Sequence, residues 1–264
     1  VNLSLVLDCR IVSHHKVALD CRRLVLATPE VAAVARPGQF LHVRCNGTAD
    51  PLLRRPFSIH DVDRERGLVT LLYRVVGRGT ALLATRRKRQ KVNVLGPLGR
   101  GFQVPLECRR VVLVGGGMGI APLFFLVREL AVDLTRAIWV LHGARTAGEL
   151  NFVNFGALPV HLRVATDDGS LGFRGSVVGL FKELAPEVQP DWVSAAGPTG
   201  MLRALGQEMR RLGLPGEFSL EERMGCGIGA CVCCSCRIGS PENWNYQRVC
   251  ADGPVFPAGE VVWE

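Results

Sequence analysis

The chain has 264 residues, 48% of them hydrophobic and 21% charged, with a formal net charge of +8. That balance belongs to a soluble globular protein with room for two ordinary domains. It excludes neither a basic surface nor a membrane span by itself, so both are judged on local pattern. The basic excess peaks at residues 86–91, but no aromatic side chain interleaves that run and the chain has only two tyrosines. The run therefore reads as a solvated face or connecting turn, not a nucleic-acid surface. A basic surface also suits an acidic partner protein or a phosphate-bearing cofactor. The longest apolar stretch, 111–127, contains four glycines and a proline. It fits a buried strand, turn and helix start, not a membrane span. Ten cysteines with no secretory signal in view lead us to expect a reducing cytoplasm.

In chain order, residues 4–12, 21–27, 39–44, 57–63, 68–75 and 91–95 are short runs rich in Val, Leu and Ile. Turn signals at Pro37-Gly38, Asn46-Gly47, Arg66-Gly67 and Gly96-Pro97 separate them, which predicts an antiparallel barrel. Residues 79–86 predict one helix interrupting it. From Arg109 the pattern changes. Strands are predicted at 111–114, 137–142, 162–166 and 192–196, with helices at 121–130, 175–184 and 200–212. Strands alternating with helices mean βαβ units and a parallel sheet. The remainder is rich in glycine and cysteine, with a last strand at 261–263. The expected division is a β-barrel at 1–102, an α/β nucleotide-binding domain at 103–215 and a small cluster-binding module at 216–264.

Three constellations carry chemistry. Arg55-Pro56-Phe57-Ser58 sits at the end of one barrel strand and Leu72-Tyr73-Arg74 lies on the next. An arginine and a hydroxyl together can bind a pyrophosphate or a flavin and its ribityl chain, and a tyrosine ring offers a stacking face. Gly79-Thr80 opens the interrupting helix, whose N-terminus is a phosphate seat. Second, a strand runs into Gly115-Gly116-Gly117-Met118-Gly119-Ile120-Ala121-Pro122 and then a helix. This turn aims backbone N–H groups and a helix dipole at phosphate, although the strict G-x-G-x-x-G pattern fits no frame. Gly197-Pro198 opens a second strand–turn–helix crossing, and the two turns should frame one pocket.

The third is Cys226-Gly227-Ile228-Gly229-Ala230-Cys231-Val232-Cys233-Cys234, followed by Cys250. Read as C-x4-C-x2-C…C through Cys226, Cys231, Cys234 and Cys250, it has plant-type spacing for a 2Fe–2S cluster. Gly227 and Gly229 allow the positive φ angles of a loop wrapped round two irons. Structural zinc is the competing reading of closely spaced thiols. A frame starting at Cys231 would use Cys236 next, but it fails because position 239 is Gly239. Cys233 and Cys236 are then extra thiols, expected beside the ligands or buried. Cys9, Cys21, Cys45 and Cys108 read as small buried hydrophobes.

These residues carry a resemblance. Residues 55–58, 115–122 and 197–201 look like the ferredoxin–NADP reductase superfamily, which pairs an FAD-binding barrel with an NAD(P) domain. Within it, the stretch 219–231, together with 166–170 and 172–175, resembles the electron-transfer subunit of type B dihydroorotate dehydrogenase over nearly the whole chain. The departures are the two added thiols, Cys233 and Cys236. The resemblance implies FAD at Arg55, Pro56, Phe57, Ser58, Leu72, Tyr73, Arg74, Gly79 and Thr80. It implies a nicotinamide dinucleotide at Gly115, Gly116, Gly117, Gly119, Pro122, Gly197 and Pro198, and the cluster at the four cysteines. It also implies a separate FMN-containing catalytic subunit, two of each in a heterotetramer. Electrons would pass from that FMN through cluster and FAD to NAD+, in pyrimidine biosynthesis. No site for orotate chemistry is visible in this chain.

Within electron transfer the alternative is a reductase subunit of a hydrogenase, sulfide dehydrogenase or bifurcating ferredoxin–NADP complex. A different class is a zinc-stabilised binding module without a redox role. Asp167 and Asp168 would favour NAD over NADP if they lie at the adenosine ribose, whereas Arg145 would favour the reverse. Glu221 and Glu222 stand beside the cysteine loop, as solvated or ion-paired groups or near the nicotinamide.

Overall fold

A computed structural model describes residues 5–48, 50–150 and 153–263. Its first module comprises β1 (Leu5–Ala18), β2 (Cys21–Ala27), a short helix α1 (Pro29–Val34), β3 (Phe40–Arg44), β4 (Arg55–Asp63), β5 (Leu68–Arg74), α2 (Arg78–Ala84) and β6 (Lys91–Leu98). The six strands close in the order β1-β2-β5-β4-β3-β6, leaving no free edge. Side chains alternate across each strand, and Leu24, Leu26, Leu41, Val43, Ile59, Leu71 and Val94 fill the interior without exposed surface.

The predicted strand start at Ser4 lies outside the described residues. β1 runs on past residue 12 because Ser13, His14, His15 and Lys16 are paired with β2, so backbone bonding carries it beyond its apolar pattern. Residues 87–90 in the turn between α2 and β6, and Lys91 at the start of β6, are exposed, as a solvated basic run should be.

The second module follows with β7 (Arg110–Gly116), α3 (Ile120–Leu130), β8 (Ala137–Ala144), β9 (His161–Thr166), β10 (Phe173–Arg174), α4 (Val177–Val188), β11 (Trp192–Ala196), α5 (Thr199–Leu212) and β12 (Gly216–Ser219). The C-terminal segment adds β13 (Ser235–Ser240), β14 (Asn243–Arg248), β15 (Val255–Pro257) and β16 (Val261–Val262). A seven-stranded sheet has the order β10-β9-β8-β7-β11-β12-β15, parallel except where β15 joins antiparallel to β12. Val111, Val112, Leu113 and Val114 are all buried, as a strand covered on both faces requires. The strands β14-β13-β16 form a separate small sheet.

The division expected at residue 216 falls inside this architecture. β12 belongs to the parallel sheet, with Val193 opposite Gly216 and Ala196 opposite Ser219, and β15 reaches it from beyond the cysteines. The physical reason is close packing. A Cβ at position 216 would stand 2.0 Å from the Val193 carbonyl oxygen, so a glycine lets the chain enter against β11.

Helix α3 joins sheet to barrel. Its Phe125 packs among the barrel core residues. His60 of β4 pairs through Nδ1 with the Ala121 carbonyl at 2.8 Å and stacks on Phe124 at 4.6 Å. Arg128 bonds Asp61, and Arg64 bonds Glu129 at 2.7 Å, across the same seam.

Candidate functional site

The ends of β4 and β5 open into a cavity of about 410 Å³. Arg55, Pro56, Phe57, Ser58, Leu72, Tyr73, Arg74 and Thr80 all line it. Gly79 does not; it packs under Arg55, whose Nε would be 3.1 Å from a Cβ there. Arg55 is aimed by its own turn, donating from Nη1 to the Leu53 carbonyl at 2.8 Å and the Arg54 carbonyl at 3.1 Å. The Thr80 hydroxyl is committed to the turn before α2. It accepts from the backbone N–H of Val76 and Gly77 and donates to the Gly77 carbonyl at 2.9 Å. The Tyr73 hydroxyl is tethered to His14 Nε2 at 2.9 Å and its ring tilts against Phe57 at 5.1 Å. Burial pushes that hydroxyl pKa up, so it stays neutral.

The opposite wall comes from far along the chain: Met118, Ala121 and Pro122 from the glycine turn, and Leu220, Met224 and Pro254 from the C-terminal segment. Pro122, grouped with the nucleotide turn on sequence, thus faces the barrel cavity. No periodicity marks the C-terminal contributors, which only the folded chain brings together.

A second pocket, of about 520 Å³, lies over the carboxyl ends of β7, β8 and β11. Gly116, Gly117 and Gly119 line it with Gly197 and Pro198, so both predicted turns do frame one space. Gly115 is not part of its lining; a Cβ there would meet Ile120 Cδ1 at 2.6 Å, and its role is packing. A Cβ on Gly119 would stand 2.2 Å from the Ala196 carbonyl oxygen, so the two turns touch through that glycine. Gly117 has φ +53° and open space where a Cβ would be. Its carbonyl lies 3.2 Å from His142 Nε2, and burial pulls the His142 pKa down to about 4.

Arg145, Glu149 and Asp167 line this pocket, and Arg145 is paired with Glu149. Asp168 is held within its own turn, where its carboxylate accepts from the Ser170 N–H at 2.9 Å and hydroxyl at 2.6 Å. Arg74, Met118 and Glu221 line both cavities, which therefore meet there. Glu222 lines the barrel cavity alone of the two.

The cysteine loop follows directly. Cys226 Sγ accepts from the N–H groups of Ile228, Ala230 and Cys231 at 3.4, 3.3 and 3.4 Å. The Cys226 N–H in turn donates to Cys231 Sγ at 3.4 Å. Cys250 Sγ accepts from Gly229 N–H at 3.1 Å, and the Cys250 N–H donates to Cys234 Sγ at 3.4 Å. The loop turns through Gly227 at φ +76° and Gly229 at φ +81°. Slight burial opposes ionisation of Cys226, but the N–H groups of Ile228 and Cys231 outweigh it and lower its pKa. Burial, then the neighbouring Cys234, raises that of Cys250.

The four sulfurs thus fall into two linked pairs, Cys226 with Cys231 and Cys234 with Cys250. Among the described residues no three His, Cys, Asp or Glu side chains gather for a single metal ion. A two-iron cluster takes two thiolates at each iron, and the paired, N–H-lined arrangement fits it. Of the extra thiols, Cys233 is exposed and not buried, in a turn whose preceding residue, Val232, has φ +49°. Cys236 on β13 is half-buried with Sγ 3.5 Å from the Gln247 carbonyl, and burial pushes its thiol up to about 12. Cys9, Cys21, Cys45 and Cys108 are buried as expected.

Residues 221–262 match the family described as the iron–sulfur cluster binding domain of dihydroorotate dehydrogenase B, and residues 8–102 match the oxidoreductase FAD-binding domain. The chain is 43% identical to the electron-transfer subunit of dihydroorotate dehydrogenase B (NAD(+)) of Desulforamulus reducens, covering 99% of this chain and 100% of that one. With the same subunit from Geobacillus thermodenitrificans it shares 42% over 96% of each chain. Among solved structures, one of an NADH-dependent reduced ferredoxin–NADP oxidoreductase superposes with TM-score 0.84 at 32% identity, over 97% of this chain and 90% of that chain. A ferredoxin NADP+ reductase from Neisseria gonorrhoeae shares the fold, with TM-score 0.68 at 16% identity over 79% of this chain and 92% of that chain.

Proposed function

The chain belongs to the family of electron-transfer subunits of NAD-dependent dihydroorotate dehydrogenase B, and we propose that its two cavities and cysteine loop form one relay. In this reading the barrel cavity seats FAD, the pocket over the glycine turns seats NAD, and Cys226, Cys231, Cys234 and Cys250 hold a 2Fe–2S cluster. Bound there, the flavin exchanges single electrons with the cluster and a hydride with nicotinamide, which neither neighbour can do alone.

The chain's own part is placement. Arg55 and Ser58 offer a cation and a hydroxyl to the flavin's phosphate and ribityl oxygens. Tyr73, held by His14 and Phe57, presents a fixed ring to the cavity. Gly116, Gly117 and Gly119 bring backbone N–H groups to the dinucleotide phosphates. The residue division is 1–102 for flavin, 103–215 with β12 and β15 for nucleotide, and the rest of the C-terminal segment for the cluster. The carrying observation is adjacency: the two cavities share Arg74, Met118 and Glu221, and Met224 lines the first only two residues before Cys226.

The finer partnership is also part of the proposal: an FMN-containing catalytic subunit, two copies of each chain, in the cytoplasm. No helix among the described residues is long and apolar enough to cross a membrane. The test is the visible spectrum of anaerobically purified protein with iron and flavin assays. About two irons per FAD supports the relay, whereas flavin without iron overturns the one-electron step. Cys231→Ser should lose the cluster and keep FAD. Dihydroorotate-linked NAD+ reduction should then collapse while NADH-dependent dye reduction persists; an equal fall in both would overturn the order of the relay.

A further inference from the structure

His42 on β3 is a polar residue that the relay leaves unused. It has no exposed surface, and neither ring nitrogen completes a hydrogen bond of normal geometry. Buried polar groups without partners are rare and need a reason. Strand alternation settles where the ring points. Leu41 and Val43 on either side belong to the barrel core, so His42 faces out of the barrel.

What it faces is the cysteine loop. A Cβ on Gly227 would stand 2.5 Å from His42 Nδ1 and 3.1 Å from Cγ, so the loop backbone reaches the ring only because residue 227 is glycine. The backbone of Cys226 lies close enough to act on the ring, as does that of Arg54. Two residues earlier on the same outer face, Phe40 lines the barrel cavity. Across the ladder, Phe40 pairs with Ser58 and His42 with Pro56. One face of β3 thus touches the proposed flavin cavity at Phe40 and the loop holding the proposed cluster at His42.

Resting on the relay reading, we propose that His42 is a positioning residue for the 2Fe–2S cluster: its ring N–H is directed at the backbone of loop 226–231, fixing that loop against the flavin strand and holding in place the N–H donors that tune the cluster. The backbone already supplies N–H groups to Cys226 and Cys250, and donors near cluster sulfurs favour the reduced state. An imidazole packed against the Gly227 backbone holds the loop that presents those N–H groups in place from the side of the barrel.

The test compares His42→Leu, which removes the donor, with His42→Gln, which keeps an N–H at similar volume. Both are scored by iron and FAD content, by the spin-resonance spectrum of the reduced cluster and by its midpoint potential. The Leu variant should retain FAD and NADH-dependent dye reduction, while the cluster's electron affinity falls about tenfold, equal to about 59 mV for one electron, or iron is lost altogether. The Gln variant should stay within about threefold of wild type, on the same conversion. Equal behaviour of the two variants would mean packing alone and would overturn the proposal. So would loss of FAD in both, since the ring would then be supporting the barrel. Wild-type protein without iron would overturn the relay and this proposal together, whereas full iron with an unshifted Leu variant overturns this proposal only.

Discussion

Acidification should destabilise the chain well before its carboxylates titrate, through buried histidines, His60 and His142 among them. His60 and His142 are 6% and 3% exposed, and burial pulls each imidazole down to about 4 from an ordinary 6.5. A folded pKa below the unfolded one means that the unfolded chain binds the proton first. Stability is therefore whole above about pH 6.5 and lost as pH falls toward 4. Linkage puts the loss at about 0.8 kcal/mol per histidine at pH 6 and about 2 kcal/mol at pH 5. His60 and His142 alone then cost about 4 kcal/mol at pH 5, a large share of the roughly 5–15 kcal/mol that stabilises a typical domain. Asp191, held at about 2 by Arg110, titrates far below this window. Glu217, raised by burial, works in the opposite sense and trims the loss. The assay is urea unfolding of wild type and His60→Leu at pH 7, 6 and 5, where the difference cancels acid effects common to both. The gap should move by about 1.8 kcal/mol in favour of the variant between pH 7 and pH 5. A gap that stays constant with pH would refute the reasoning.

Two further predictions concern the nucleotide pocket. Gly119→Ala places a methyl 2.2 Å from the Ala196 carbonyl oxygen, well inside the contact distance. Overpacking of this kind costs about 1–3 kcal/mol, and the displaced turns should raise the KM for NADH about tenfold or more while FAD stays bound. An unchanged KM, measured by dye reduction, would mean that the two turns do not frame the site. Asp167 lines the pocket while Arg145 is occupied by Glu149, a balance that would repel a 2′-phosphate seated beside them. Asp167→Asn should therefore raise kcat/KM for NADPH about tenfold, worth about 1.4 kcal/mol, with NADH affected much less. An unmoved NADPH:NADH ratio would place the adenosine ribose elsewhere.

The parts legible in the sequence are those whose physics is local. Apolar runs between turn residues announced the barrel strands, glycine density announced the turn after β7, and cysteine spacing announced the loop. What escaped is what depends on distant packing. Helix α1 spans only Pro29–Val34, too short to show a helical period. β12 carries Glu217, and a carboxylate in a four-residue segment reads as surface. His42, within the segment Phe40–Arg44, likewise looks like the wet side of a strand, and only the loop from residue 226 shows why it is dry.

Glu217 shows how the cysteine segment is tied to the rest of the chain. Its buried carboxylate accepts from the Gln103 N–H at 2.9 Å, where the chain leaves the barrel, and from the Ser194 hydroxyl at 3.0 Å on β11. A single side chain on β12 thus ties barrel exit, parallel sheet and the start of the C-terminal segment together. Directly after β12 the chain supplies Leu220, Glu221, Glu222 and Met224 to the cavity walls, and then the first cysteine. After Cys250 it returns to the sheet as β15, with Pro254 at the cavity on the way. The cysteine loop is therefore anchored on both sides by strands of the sheet that carries the nucleotide turns. Electron transfer demands fixed spacing between centres, and these two anchors hold the loop in place. The sheet that shapes the nucleotide pocket also sets the position of the cysteines against the barrel, which is the arrangement a relay needs.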